Sequence, residues 1–258
     1  PYVARGNISL MRYAINSGDL ELVKTLVKNE GVVNAETVDK ATSLGNVELI
    51  KDMLARCDKL VLQELNSDNP ILGAIRFAIR CDKFKLFKWL YCLNTKIGGY
   101  SMTVAAQYGN ERIINLLHSD NIRINKHALR NSIVYDNPEI AELLIRLGAS
   151  WDKTVLRDAI KKNFTKVVLK LLDRGCEVSQ IAFKDAAGMG NIEVIKALTD
   201  VNVMEVNALK LEEMVLRKAV MSGDVEVVKV LLETGIKADL KTIKAAKGNA
   251  EMILLLSG

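Results

Sequence analysis

Proline, histidine and aromatic residues are scarce in this 258-residue chain, which has three prolines, two histidines and 5% Phe, Trp and Tyr. So few prolines leave almost nothing to interrupt a helix, and helices are expected throughout. The two histidines, His118 and His127, do not recur with Cys, Asp or Glu at ligand spacing, so no metal site is expected. Neither stands with a Ser or Cys in the way a hydrolytic triad requires, and the sequence gives no reason to expect an enzyme. Cys57, Cys81, Cys92 and Cys176 form no CxxC pair. That pattern argues against a disulfide framework and for reduced thiols in an intracellular protein. No apolar run approaches the roughly 18 residues of a membrane span, so no membrane association is expected. The Gly98-Gly99 pair lacks the Lys and further glycines of a phosphate-binding loop, and no cofactor is expected.

What the chain does contain is a repeat. The segment Gly190-Asn191-Ile192-Glu193-Val194-Ile195-Lys196-Ala197-Leu198 has close copies beginning at Gly18, Gly45 and Gly223. Its first residue belongs to a column of Gly18, Gly45, Asp82, Gly109, Asp136, Asn163, Gly190, Gly223 and Gly248, of which the run from Asp82 to Gly190 advances by 27 residues. Every member is Gly, Asn or Asp, the types that tolerate a left-handed backbone where helices stop. Eleven residues earlier stand Asn7, Asn34, Ile71, Gly98, Asn125, Asp152, Ser179 and Glu212, mostly good helix N-caps. A first helix is therefore expected between each cap and its turn.

Two columns fall inside that first helix. Seven residues before the turn are Met11, Val38, Ile75, Met102, Leu129, Leu156, Phe183 and Leu216. Four before it are Ala14, Ala41, Ala78, Ala105, Ser132, Ala159, Ala186 and Ala219, small enough for two helix backbones to approach. A second helix is expected after the turn, apolar four and eight residues on, as in Val194 and Leu198. It stops at Cys57, Asn94, Asn121, Gly148, Gly175, Asn202 and Gly235. Extra residues near 60–69, where Ser67-Asp68-Asn69-Pro70 reads as a turn, and near 201–211 break the period. Insertions in such arrays map to loops, often on a binding face.

The segment Gly223 to Gly235, GDVEVVKVLLETG, resembles the second-helix pattern of the ankyrin repeat, and Gly190 to Leu198 and Gly18 to Leu26 support the resemblance. It covers nearly the whole chain in nine units. Two departures are consistent: the Thr-Pro-Leu-His opening is absent, and the period is about six residues shorter than the family's usual ~33. Short repeats of this kind are similar to those of large DNA viruses and amoebal organisms. The resemblance implies an all-α helical-hairpin solenoid, residues 1–258 as one array, with shortened or absent β-hairpin fingers. The last repeat, 239–258, is incomplete, and its apolar final helix is expected to be covered or followed by more chain. The opening Pro1-Tyr2 without Met likewise leads us to expect missing upstream residues.

In an ankyrin-like stack the two residues before each turn face the concave groove. Those columns vary freely here while their neighbours hardly change. They give Arg80, Gln107, Tyr108, Val134, Tyr135, Lys161, Lys162, Met189 and Met221 as the expected partner-binding residues. Tyr and Arg are enriched at interface hot spots, and Met supplies adaptable apolar surface. The expected function is non-catalytic protein binding by a monomer, as adaptor, scaffold or sequestering antagonist. Two alternatives stay open. One is the regulatory part of a longer enzyme. The other is a nucleic-acid-binding array, motivated by the formal net charge of +5 and the Lys161-Lys162 pair.

Overall fold

A computed structural model describes residues 2–29, 33–57, 69–152, 154–200, 208–233, 235–246 and 248–257. Among them are eighteen α-helices, one 3₁₀ turn (Thr95–Ile97) and no strand. The chain divides into two compact units, residues 1–123 and 124–258.

The first unit is a run of helix pairs: α1 (Tyr2–Ser17) with α2 (Leu20–Lys28), α3 (Ala35–Ser43) with α4 (Val47–Ala55), α5 (Pro70–Arg80) with α6 (Phe84–Leu93), and α7 (Gly98–Gln107) with α8 (Glu111–Ser119). Each first helix packs on the next, α1 on α3, α3 on α5 and α5 on α7. The second unit repeats the plan with α9 (Lys126–Val134) and α10 (Pro138–Arg146), α11 (Val155–Lys161) and α12 (Thr165–Asp173), α13 (Gln180–Met189) and α14 (Ile192–Asp200), α15 (Ala208–Ser222) and α16 (Val225–Glu233), and α17 (Leu240–Ala245) and α18 (Ala250–Ser257). Here the first helices α9, α11, α13, α15 and α17 contact in sequence, as do the second helices α10, α12, α14, α16 and α18.

The turn column fixes this plan. All nine members have positive φ, from 49° at Asp82 to 90° at Gly248. Asp and Asn enter that region at a tolerable cost, and Gly at none. In six pairs the next residue caps the second helix with its side chain: Leu22 N–H donates to Asp19, Leu49 N–H to Asn46, Ile113 N–H to Asn110, Val194 N–H to Asn191, Val227 N–H to Asp224, and Met252 N–H to Asn249, whereas Lys83, Asn137 and Phe164 make no such bond. Each cap satisfies one of the amides a helix start leaves unpaired.

Both first-helix columns are buried along their whole length, from Met11 to Leu216 and from Ala14 to Ala219. Ser132, the one polar member, meets its hydroxyl's need locally by donating to Leu129 O at 2.7 Å. A full-size side chain at that position would have to displace a neighbouring helix.

Several expected caps fall elsewhere. Asn34, Asn125 and Ser179 cap their helices as expected. Asn7 and Glu212 instead lie inside helices that begin at Tyr2 and Ala208. Ile71 is not a cap. Its N–H donates to Asn69 Oδ1, and Pro70 takes the first helical position, where its missing N–H costs nothing. Gly98 begins α7 directly out of the 3₁₀ turn, with no side-chain cap. A Cβ there would stand 2.7 Å from Ile122 Cδ1, so close packing takes precedence over capping. Asp152 closes a turn ahead of α11 by accepting from the Thr154 N–H and hydroxyl at 2.9 and 2.6 Å. Those two bonds hold its carboxyl below the usual range. Asn94 ends α6 in an extended conformation, φ −151°, rather than a left-handed one. Apart from Asn69, the insertion near 60–69 lies outside the described residues. So do 201–207 and with them Asn202, while 208–211 form the first turn of α15.

Candidate protein-interaction surface

The expected partner residues sit at the C-terminal ends of first helices. In the first unit Arg80 ends α5 and Gln107 ends α7, with Tyr108 capping it. Arg80 is exposed, Tyr108 is 37% exposed, and Gln107 is half-buried. In the second unit Val134 and Tyr135 end α9, Lys161 and Lys162 end α11, Met189 ends α13, and Met221 lies in the last turn of α15. All six are exposed, Tyr135 by 53% and Met221 by 67%.

Lys162 differs from the other cation beside it. Its Nζ lies 2.9 Å from both oxygens of Asp136, the turn residue of the preceding pair. Its charge is therefore partly answered within the fold, while Lys161 makes no ion pair among the described residues.

Two features of the first helices escaped the repeat columns. The first is an arginine six residues before the turn that reaches into the next pair. Arg12 bonds Glu36 at 2.7 Å, and Arg76 donates to Tyr100 Oη. In the second unit Arg130 pairs with Asp158 at 3.1 Å, Arg157 with Asp185 at 2.6 Å, and Arg217 with Asp239 at 2.9 Å. Part-exposed pairs of this kind contribute only about 0.2–1 kcal/mol each, so their main effect is to fix one first helix against the next. The signal was present as Arg at a fixed offset from the turn, with Asp 28 residues on at Arg130 and Arg157, but polar columns carry no hydrophobic period. The second feature is apolar. Ile181 on α13 and Met214 on α15, nine residues before their turns, are 53% and 42% exposed. One and two helical turns separate positions on the same side of a helix, so Ile181 lies on the stripe that ends at Met189.

The pairs are thus two helices joined by a left-handed Gly, Asp or Asn, with Asn or Asp capping the second helix in six of the nine and a small residue where first helices meet in the first eight. Such pairs have the build that the sequence resemblance to the ankyrin repeat implies. No protein-family model matches the chain, and no curated protein sequence does. Among solved structures it is similar to the ankyrin repeat domain of human ASB11, at 21% identity and a TM-score of 0.45, over 60% of this chain and 81% of that one.

The remaining chemistry of these helix pairs is sparse. Among the described residues no group of three His, Cys, Asp or Glu side chains could hold a metal ion. No described helix is long and apolar enough to cross a membrane. Cys81 and Cys92 are exposed, whereas Cys176 is buried and burial pushes its thiol up to about 11.

Proposed function

We propose that the chain is a non-catalytic protein-binding module whose partners meet the exposed first-helix ends. One observation carries the reading. The columns that build the stack are buried and nearly constant in type, while the two residues before each turn are mostly exposed and vary freely. Packing constrains the former and leaves the latter to recognition. In the second unit the surface pairs a tyrosine (Tyr135) with the methionines Met189 and Met221, a composition suited to an apolar or amphipathic protein segment. The first unit carries Arg80 and Tyr108 at its own first-helix ends. A monomer with reduced thiols in an intracellular compartment accords with four free cysteines.

The test places a photo-crosslinking residue at Tyr135 or Met189, with a control at exposed Glu139 on a second helix, and identifies adducts by mass spectrometry. One protein captured from both first-helix positions but not from Glu139 supports the reading. The variant Arg80→Glu, Tyr108→Ala, Tyr135→Ala, Lys161→Glu should then lose that protein while keeping its helical circular dichroism. Equal capture at all three positions would remove it. A nucleic-acid array would instead show affinity falling steeply with salt.

A further inference from the structure

The outer face of the third pair breaks the charge pattern of its neighbours. In the first unit, α2 and α4 carry a Glu three residues after the turn and a Lys three further on. Their ion pairs are Glu21 with Lys24 at 2.8 Å and Glu48 with Lys51 at 2.9 Å. The same first position holds Lys85 in α6 and Arg112 in α8. Lys88 therefore has no carboxylate one turn before it. None of Lys85, Lys88 and Arg112 makes an ion pair among the described residues.

The three cations surround a slot of about 460 Å³ lined by Phe84, Trp89 and Cys92 together with the stems of the cations. No carboxylate lines it. Trp89 and Phe84 are half-buried, and Arg112 lies over the Phe84 ring at 3.9 Å, which holds the slot's edge in place. Lys85 and Lys88, three residues apart on a helix, sit roughly 5–6 Å apart at Cβ. We infer that this face is a second docking site, for an acidic peptide segment of a protein partner that seats one aromatic or aliphatic side chain against Trp89 and sets carboxylates on Lys85, Lys88 and Arg112.

Charge complementarity selects the occupant. Uncompensated cations beside an apolar slot favour flanking carboxylates, which steer encounter and fix register. A single-stranded nucleic acid would stack successive bases on several aromatic faces, whereas here Arg112 already covers a face of Phe84 and Trp89 alone is left to receive a ring. The site is built from the second helices α6 and α8 and does not depend on the function proposed for the first-helix ends.

The test uses the full chain with Trp151→Phe, which leaves Trp89 as sole reporter. The probe is the peptide Glu-Glu-Leu-Phe-Glu-Glu-Leu-Leu-Glu-Asp, with a counterpart carrying Lys at every acidic position. The expected result is a saturable change in Trp89 emission with the acidic peptide alone. Affinity should be at least tenfold weaker in Lys85→Glu/Lys88→Glu and several-fold weaker in Arg112→Gln. Tyr135→Ala/Met189→Ala should bind as the parent does. Urea midpoints close to the parent's establish that the variants are folded. No saturable binding, equal binding of the basic peptide, or unchanged affinity in both slot variants would overturn the proposal. Tighter binding of a thymidine oligonucleotide at the same site would overturn it in favour of nucleic acid.

Discussion

At Gly223 and Gly190 the backbone makes the same left-handed turn in different surroundings. Gly223 has φ 79° with nothing within 4 Å of where a Cβ would stand. Gly223→Ala therefore isolates the steric cost of a left-handed L-residue and should lower stability by about 1–2 kcal/mol in urea denaturation. At Gly190, φ 72°, the added Cβ would lie 2.8 Å from Asp224 Oδ2. That carboxylate caps α16 by accepting from the Val227 N–H, so it cannot turn away without loosening the cap. Gly190→Ala should cost more than Gly223→Ala, and the excess should disappear in an Asp224→Ala background. A double-mutant cycle measures the coupling. Equal costs at the two glycines would show that Asp224 yields freely.

At the scale of the helix pair, Asn191 does two jobs. Its Oδ1 accepts from the Val194 N–H, and its Nδ2 donates to Asn163 Oδ1 and Thr165 Oγ1 of the preceding pair, each at 2.7 Å. Asn110 does the same between its own cap and Asp82. Aspartate can cap but cannot donate. Asn191→Asp should therefore destabilise by about 1 kcal/mol although the cap survives, the size of a lost hydrogen bond. An unchanged thermal midpoint would assign Asn191 to capping alone.

These pairs also show why the sequence was legible where it was. The turn column, the buried apolar column and the small-residue column each recur with one side-chain character, because a left-handed backbone or a close helix contact admits few residues. The caps were less legible because a cap can move by a turn without disturbing the core. Pro70 drew the α5 cap to Asn69, and α15 began four residues before Glu212. The arginine rungs and the exposed Ile181 and Met214 were invisible to a search for apolar periodicity. The first-helix ends were readable only as variation against constant neighbours, which marks a free surface and leaves its partner unspecified.

At the scale of each unit, burial reveals a direction in the packing. In α2, Val23 is buried while Leu22 and Leu26 are only half-buried. In α18 the order reverses: Met252 and Leu256 are buried while Ile253 is 38% exposed. The positions four and eight after the turn are therefore covered by the pair before, and the fifth by the pair after. Stability should then be a sum of nearest-neighbour terms within a unit. Ala159, fully buried on α11, tests this, because α11 packs on α9, α12 and α13. Ala159→Leu overpacks that junction and should cost about 1–3 kcal/mol. In hydrogen exchange followed by mass spectrometry, amide protection should fall most in α11, next in α9, α12 and α13, and least in α16 and α18. A uniform fall across residues 124–258 would mean that the second unit opens as one cooperative body, and that its repeats are coupled more tightly than contacts between neighbouring pairs require.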